Sequence, residues 1–258
     1  MKLSIVVPAY NEEGRIGRML EAYLPYFAEH YGSDFEIVVS VNGSTDGTEA
    51  VARGMEARFA QLRTIVEPRP IGKGGAIMAG GAVARGELIG FVDADGATPP
   101  AAFDDLVKHI GGAGLIIASR RLPGSVVRPR QPWKRRFVSR VFNLLVRRWF
   151  KLRITDTQCG AKLMTAEAWR AIVPHIGLTK WAFDVDMLFK TRRAGFAIRE
   201  IPTTWSDVGG SKLRVGRVSF QMFLAICRLR LLYSPLRWVV SLYDRLLGRV
   251  IVLEPRTQ

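Results

Sequence analysis

The chain has 258 residues, 48% of them hydrophobic, and its 38 Lys and Arg outweigh 23 Asp and Glu to give a formal net charge of +15. A chain of this length buries a substantial core, and the absence of low-complexity tracts and internal repeats excludes fibrous and disordered classes. Two cysteines, Cys159 and Cys227, are too few for a disulfide framework, and His30, His109 and His175 match no zinc spacing, so carboxylates must hold any metal used here.

Met1 to Pro8 passes directly into an apolar run, which predicts a strand over 3–8 and no secretory leader. The pattern then predicts a helix over 12–30, a strand over 35–41 and helices over 47–59 and 73–84. A strand over 88–92, a helix over 101–110 and a strand over 114–119 follow. Such alternation predicts an α/β fold with helices on both faces of a sheet, and ligands bind such sheets beyond the carboxyl ends of their strands. Residues 123–132, four of them Pro or Gly, read as a loop. A basic amphipathic helix is expected over 133–151, with Arg136, Arg140, Asn143 and Arg147 on one face and Val138, Phe142, Leu145 and Trp149 on another. Residues 154–205 are mixed in pattern and complete the globular body. Two C-terminal amphipathic helices are expected over 218–232 and 236–249, separated by Ser234-Pro235. No uncharged apolar stretch approaches the ~18 residues of a spanning helix.

The positive charge is regional. From Arg120 to Arg153 there are twelve Lys or Arg and no acid, and the acid-free stretch between Asp207 and Asp244 carries six more. Such a field attracts phosphates or an anionic membrane surface. Nucleic acid is not expected, because the sequence has no zinc finger, RNP-like aromatic motif or KH-type loop.

Three polar motifs each follow a predicted strand or open a helix. Asp93-Ala94-Asp95-Gly96 places two carboxylates at a strand end, a natural seat for Mg²⁺ or Mn²⁺, and equally a composition common in turns. Asn42-Gly43-Ser44-Thr45-Asp46-Gly47-Thr48 supplies turn and capping residues to the helix after it. Gly72-Lys73-Gly74-Gly75 opens a helix with backbone amides and a cation suited to a diphosphate, although it lacks the Ser or Thr of a P-loop.

In order, Val6-Val7-Pro8-Ala9-Tyr10-Asn11-Glu12-Glu13 and then these three motifs resemble the inverting GT-A glycosyltransferases of family 2. Ala118-Ser119-Arg120, Asp156-Thr157-Gln158-Cys159-Gly160-Ala161-Lys162-Leu163, Trp181-Ala182-Phe183-Asp184-Val185-Asp186 and Gly210-Ser211-Lys212-Leu213 resemble the polyprenyl- and dolichyl-phosphate glycosyltransferases, closest to the dolichyl-phosphate glucosyltransferase branch. The resemblance implies a GT-A three-layer sandwich with a mostly parallel mixed sheet, plus C-terminal amphipathic helices. It divides the chain into a transferase domain over 1–212, with a nucleotide-sugar half over 1–122 and an acceptor half over 123–212, and an amphipathic helical appendage over 213–258.

For the residues, the resemblance implies that Pro8, Tyr10 and Glu12 line a nucleoside pocket with Asn42 against the base, and that Lys73 and Lys212 serve the donor. It implies that Asp93 and Asp95 hold the donor through ribose and a Mg²⁺ or Mn²⁺ ion, with Asp95 the direct ligand. Arg120, Arg135 and Ser139 match positions used around the acceptor phosphate, and Ala97 stands where mannosyl-transferring members often carry Gln. Asp184 is the best carboxylate for positioning a nucleophile; the other role open to it is capping a helix over 185–193. Arg135 and Ser139, four apart, share a helical stripe, and Trp133, Phe137, Phe142, Trp149 and Phe150 suit a helix resting in a membrane's headgroup region.

The expected activity is transfer of a hexose, glucose from UDP-glucose by preference, to a polyprenyl or dolichyl phosphate at the cytoplasmic face of a membrane by a peripheral protein. Asn42 favours uracil, whose N3–H and carbonyls an amide can satisfy, over guanine, whose two adjacent donors suit a carboxylate. The alternatives are a GDP-mannose-dependent enzyme, a non-lipid glycan acceptor, a nucleotidyltransferase on the same scaffold, and a basic membrane- or nucleic-acid-binding protein without activity.

Overall fold

The computed structural model describes residues 1–129, 133–177, 182–206, 215–240, 242–244 and 246, with the side chains of 133–138 and 215–219 outside that description. The first half comprises β1 (Leu3–Ala9), α1 (Glu13–Tyr31), β2 (Phe35–Asn42), α2 (Thr48–Glu56), β3 (Leu62–Glu67), α3 (Gly72–Val83), β4 (Leu88–Phe91), α4 (Pro100–His109) and β5 (Leu115–Ser119). The second comprises β6 (Val126–Arg128), α5 (Trp133–Phe150), β7 (Lys162–Thr165), α6 (Ala166–Ile172), α7 (Phe183–Arg193), β8 (Ile198–Pro202), β9 (Thr204–Ser206) and α8 (Val215–Leu232).

Seven strands form one sheet in the order β3-β2-β1-β4-β7-β5-β8, and β6 pairs with β9 in a separate two-stranded sheet. Neighbours in the main sheet run parallel except β7, which is antiparallel to both β4 and β5. All eight residues of β2 and six of seven in β1 are buried, the continuous burial that a parallel sheet covered on both faces demands. The chain winds outward from β1 through β2 to β3, then returns to β4 on the other side of β1. That reversal opens a crevice beyond the carboxyl ends of β1 and β4, where open α/β sheets bind ligands.

The sequence pattern misses β3, β6, β7, β8 and β9 as strands, with β6 falling inside the expected loop over 123–132. β3 is an edge strand that buries Leu62 and Thr64 and leaves Val66 exposed. β7 is four residues long and begins with a lysine, which breaks an apolar run despite full burial. Helix α2 stops at Glu56, short of the expected 59, where the Arg58 amide tightens onto the Met55 carbonyl at 3.0 Å, three residues back instead of four.

The basic helix α5 is oriented differently from the expectation. Phe142, Val146 and Phe150 are buried in the core, so Phe142 and Phe150 are not available to a headgroup layer. Asn143, expected on the charged face, is buried as well, and its side-chain oxygen accepts from the Thr157 backbone amide and hydroxyl at 3.0 and 2.9 Å. Val141 and Leu144 are exposed instead. Trp133 and Phe137 have side chains outside the described set.

Helix α8 packs on the body: Leu224, Ala225, Ile226 and Leu229 join the core cluster. Just beyond it, the Tyr233 hydroxyl donates to Asp186 Oδ1 at 2.6 Å, while Asp186 Oδ2 accepts from the Gly177 amide at 3.0 Å. This clasp ties the start of α7 to the end of α8. Of the expected helix over 236–249, the described part is a short 3-10 turn at Arg237–Val239 and helical residues at 242–244 and 246.

Glycines set how closely α3 approaches the sheet. A Cβ at Gly80 would lie 2.4 Å from Val6 Cγ1, and one at Gly81 would lie 2.0 Å from Trp169 Cζ2. Alanine at Gly81 would gain roughly 1 kcal/mol of helix propensity, but forcing Trp169 aside costs about 1–3 kcal/mol. Gly81→Ala is therefore expected to lower the urea unfolding midpoint. An unchanged or raised midpoint would show that Trp169 yields freely.

Candidate active site

The loop after β1 and the turn after β2 are stitched together by side chains. Asn11 Oδ1 accepts from the Thr45 amide at 2.8 Å, Thr48 Oγ1 accepts from the Glu12 amide at 2.7 Å, and Glu13 Oε2 accepts from the Gly47 amide at 3.1 Å. The Gly43 turn has φ +58°, and a Cβ there would meet Pro70 Cα at 2.7 Å, so only glycine fits. Tyr10 is exposed at the mouth of the crevice, with Pro8 behind it. Asn42 is buried at the end of β2, and its side-chain nitrogen donates to the Ala9 carbonyl at 3.1 Å, committing one amide proton to the strand end instead of to a base. Glu12 is gripped by Arg15 through two bonds of 2.7 and 2.8 Å. Burial nevertheless leaves its carboxyl above the usual range, with Asp95 and Asp93 adding to the rise against Arg15.

Beyond β4 stand Asp93 and Asp95. Asp93 is ion-paired through Oδ1 to Lys73, from the first turn of α3. Its Oδ2 packs against Gly160, where a Cβ would come within 2.0 Å. Burial alone would push the Asp93 carboxyl up, but Lys73, Lys162 and Arg120 reverse that and hold it below the ordinary value. Asp95 goes the other way: burial and the neighbouring Asp93 charge raise it, while the Ala97 amide donates to its Oδ1 at 2.9 Å. A hollow of about 210 Å³ opens beside Asp95, lined also by Arg15, Arg18, Tyr23 and Thr98.

Two further pairs complete the edge. Arg120, directly after β5, binds Asp156 through Nε at 2.7 Å and Nη2 at 2.9 Å, and its backbone amide donates to the same carboxylate at 3.1 Å. These two bonds use two of the five guanidinium N–H donors and fix the orientation of Arg120. Lys162 Nζ donates to Asp184 Oδ1 at 2.6 Å and to the Cys159 carbonyl at 2.7 Å. Asp184 lies inside the first turn of α7 and does not cap it: the N-cap is Ala182, with no side-chain capping bond. Three cations therefore neutralise Asp93, Asp156 and Asp184, and Asp95 is the carboxylate of this group without a cation partner among the described residues.

Ser139 Oγ accepts from Arg121 Nη2 at 2.5 Å. Burial, with Arg120 and Arg140 nearby, lowers the Arg121 pKa against the opposing pull of Asp156. The Arg135 side chain and all of Lys212 lie outside the described residues, so their expected places near a phosphate are not described. Sequence reasoning passed over Arg15, Arg121, Asp156 and Lys162 as site residues. Asp156 and Lys162 stood within a quoted motif, and their signal was a charge at each end of an otherwise apolar or small-residue stretch.

Residues 4–172 match the profile of glycosyl transferase family 2. The chain is 33% identical over 249 residues to a dolichyl-phosphate beta-glucosyltransferase of Trichomonas vaginalis, covering 92% of this chain and 73% of that one. It is also 33% identical over 255 residues to the dolichyl-phosphate beta-glucosyltransferase of Saccharomyces cerevisiae, covering 90% and 75%. In fold it is similar to glucosyl-3-phosphoglycerate synthase from Mycobacterium tuberculosis, solved with Mn²⁺, UDP-glucose and glycerol 3-phosphate, at TM-score 0.66 and 20% identity over 89% of this chain and 79% of that one. A mannosyltransferase from Pyrobaculum calidifontis, solved with GDP-mannose and Mn²⁺, superposes with TM-score 0.64 at 17% identity over 99% and 76%.

The raised pKa of Asp95 makes its ionised form a cost to the fold. A carboxyl whose pKa is higher folded than unfolded favours folding only at low pH, and that contribution is lost as pH rises through the folded value. At neutral pH Asp95→Asn removes the penalty and is expected to raise Tm in a thermal scan. A lower melting point in a thermal scan without added metal would contradict the assignment.

Proposed function

The chain belongs to glycosyl transferase family 2, and from that premise we propose that it moves glucose from UDP-glucose to a dolichyl or polyprenyl phosphate at the cytoplasmic face of a membrane. The observation that carries this reading is Asp95, which among the described residues has no cation partner while Asp93, Asp156 and Asp184 are each paired. A hard divalent ion such as Mg²⁺ or Mn²⁺ fits it: the donor set is oxygen, and a cation would relieve the burial and the Asp93 repulsion that raise its pKa. The described residues contain no cluster of three ligating side chains, so donor diphosphate oxygens and water would complete the shell. When bound, such an ion supplies positive charge to the leaving diphosphate.

Pro8, Tyr10 and Glu12 are assigned to the nucleoside, with the buried Asn42 side chain bonded to the Ala9 carbonyl at the strand ends. Lys73 brings a cation to the diphosphate, and Lys212 is assigned to the same task from the sequence alone. In the reaction the bond from the anomeric carbon to the diphosphate breaks, a bond to an acceptor phosphate oxygen forms with inversion, and UDP leaves. The acceptor phosphate ionises with a second pKa of about 6, so no strong base is required. Asp184 then serves to position the nucleophile. Arg121 with Ser139, joined by Arg135 on the same helix, is the candidate phosphate-binding group, and Arg120 acts through its grip on Asp156.

The membrane setting is supported by an apolar stripe. Trp238, Leu242 and Leu246, spaced four apart, are 71%, 51% and 71% exposed. On the opposite side Val240 is buried, the Tyr243 hydroxyl donates to the Leu224 carbonyl and Asp244 pairs with Arg228. With Arg147, Arg148 and Lys151 exposed or partly exposed at the end of α5, this combination suits an interfacial contact with anionic lipid. No helix among the described residues is long and apolar enough to cross a membrane.

With UDP-glucose and dolichyl phosphate, EDTA should abolish transfer and added Mg²⁺ or Mn²⁺ should restore it, while Asp95→Ala stays inactive under both conditions. Calorimetry in Mn²⁺ should show UDP binding more tightly than GDP. GDP binding tenfold tighter, about 1.4 kcal/mol, would move the reading to a mannosyltransferase. Cosedimentation with anionic vesicles should be strong at low salt and weaken as salt screens the basic residues. The Trp238→Ala/Leu242→Ala variant should bind the vesicles less than the wild type; equal binding would remove the stripe from the interface.

A further inference from the structure

Lys162 is fully buried, among the largest side chains with no solvent exposure in the protein. It opens β7 at the middle of the sheet, in register with Phe91 of β4 on one side and Ile117 of β5 on the other. Its backbone neighbours Ala161 and Leu163 are buried and apolar. Burying an ammonium there costs several kcal/mol of desolvation, and an apolar residue of similar volume, with its carboxylate partner also replaced, is often equally stable or more so. Stability alone therefore gives no reason for a lysine at this position.

Its contacts do give a reason. Two of the three ammonium protons are accounted for, by the Cys159 carbonyl at 2.7 Å and by Asp184 Oδ1 at 2.6 Å. The Phe91 ring centroid lies 5.4 Å away, and the Lys162 charge reaches Asp93, where it helps lower that carboxyl's pKa. Asp184 itself is 14% exposed, so the carboxylate held from within on Oδ1 is not sealed from solvent. Two side-chain torsions, χ1 and χ2, set the Asp184 carboxyl plane relative to the α7 backbone, and anchoring one oxygen restricts both and so restricts where the other points.

We propose that Lys162 is a positioning residue for transfer: from inside the sheet it anchors Asp184 Oδ1 and so aims Oδ2 at the reacting groups, while supplying the positive charge that lets this carboxylate stand beside Asp93 and an incoming phosphate. The proposal rests on the place given to Asp184 in the reaction above. It assigns Lys162 no contact with substrate.

The test compares wild type, Lys162→Met, Lys162→Gln, Asp184→Asn and the Lys162→Met/Asp184→Asn double variant, with UDP-glucose and dolichyl phosphate in detergent. UDP affinity by calorimetry and a thermal melt accompany each. Lys162→Gln keeps a donor for the Cys159 carbonyl, and the double variant leaves no orphaned charge, so the comparison survives if Lys162→Met folds poorly. Lys162→Met and Lys162→Gln are expected to lower kcat on the order of 10²-fold, the size expected for a misplaced reacting group. UDP affinity is expected to stay within about twofold, and the double variant to be no slower than Asp184→Asn alone, because both changes act on one group. Wild-type kcat in both Lys162 variants beside an impaired Asp184→Asn overturns the positioning role and leaves the reaction scheme standing, as does a double variant slowed by the product of the single effects. Wild-type kcat in Asp184→Asn removes Asp184 from the scheme and this proposal with it.

Discussion

Carboxylates gathered at the carboxyl edge of a covered parallel sheet repel one another in a medium that screens poorly, and each needs a compensating charge to remain ionised. Here that constraint is met pair by pair: Lys73 with Asp93, Arg120 with Asp156, and Lys162 with Asp184. Among the described residues this pairing stops at Asp95, whose pKa is raised by burial and by the Asp93 charge and whose Oδ1 accepts from the Ala97 amide.

Meeting the constraint dictates features of the fold that otherwise look arbitrary. Lys73 arrives because α3 lies close against β1, which Gly80 permits by having no side chain to meet Val6. Lys162 arrives because an antiparallel strand, β7, is inserted between β4 and β5 in a sheet whose other neighbours run parallel. The insertion brings the Cys159–Lys162 segment back beneath β4, where Gly160 makes room for Asp93. A parallel strand at this point would place its carboxyl end, not its beginning and the loop that leads into it, beside the Asp93–Asp95 turn.

Much of this was legible from residues. The strand-and-helix alternation through 119, the carboxylate pair after β4 and the lysine at the head of α3 are local signals, each set by periodicity or turn chemistry within a few positions. What escaped depends on distant partners. β7 could not be read because its first residue is charged, and that charge is tolerable only through Asp184, 22 positions later in the chain. Asn143 was assigned to a wet face by helical spacing, yet Thr157 draws it inward. The orientation of Arg120 is set by Asp156, 36 positions later and invisible as a partner until the chain folds. A period reports which residues share a side, not which side another element will cover.

The clasp between Tyr233, Asp186 and Gly177 has a practical consequence for where this protein can be cut. A chain shortened to end at Leu232, an attractive expression boundary because a Ser-Pro break follows closely, would strip Asp186 of its phenolic donor. It would leave a buried carboxylate short of a partner two positions from Asp184. It would also remove Val240 and Tyr243, which cover α8. The minimal self-sufficient unit therefore extends at least through Tyr243 and Asp244, and a soluble fragment intended for crystallisation or as a fusion partner should be trimmed beyond that point, not at the end of the long helix.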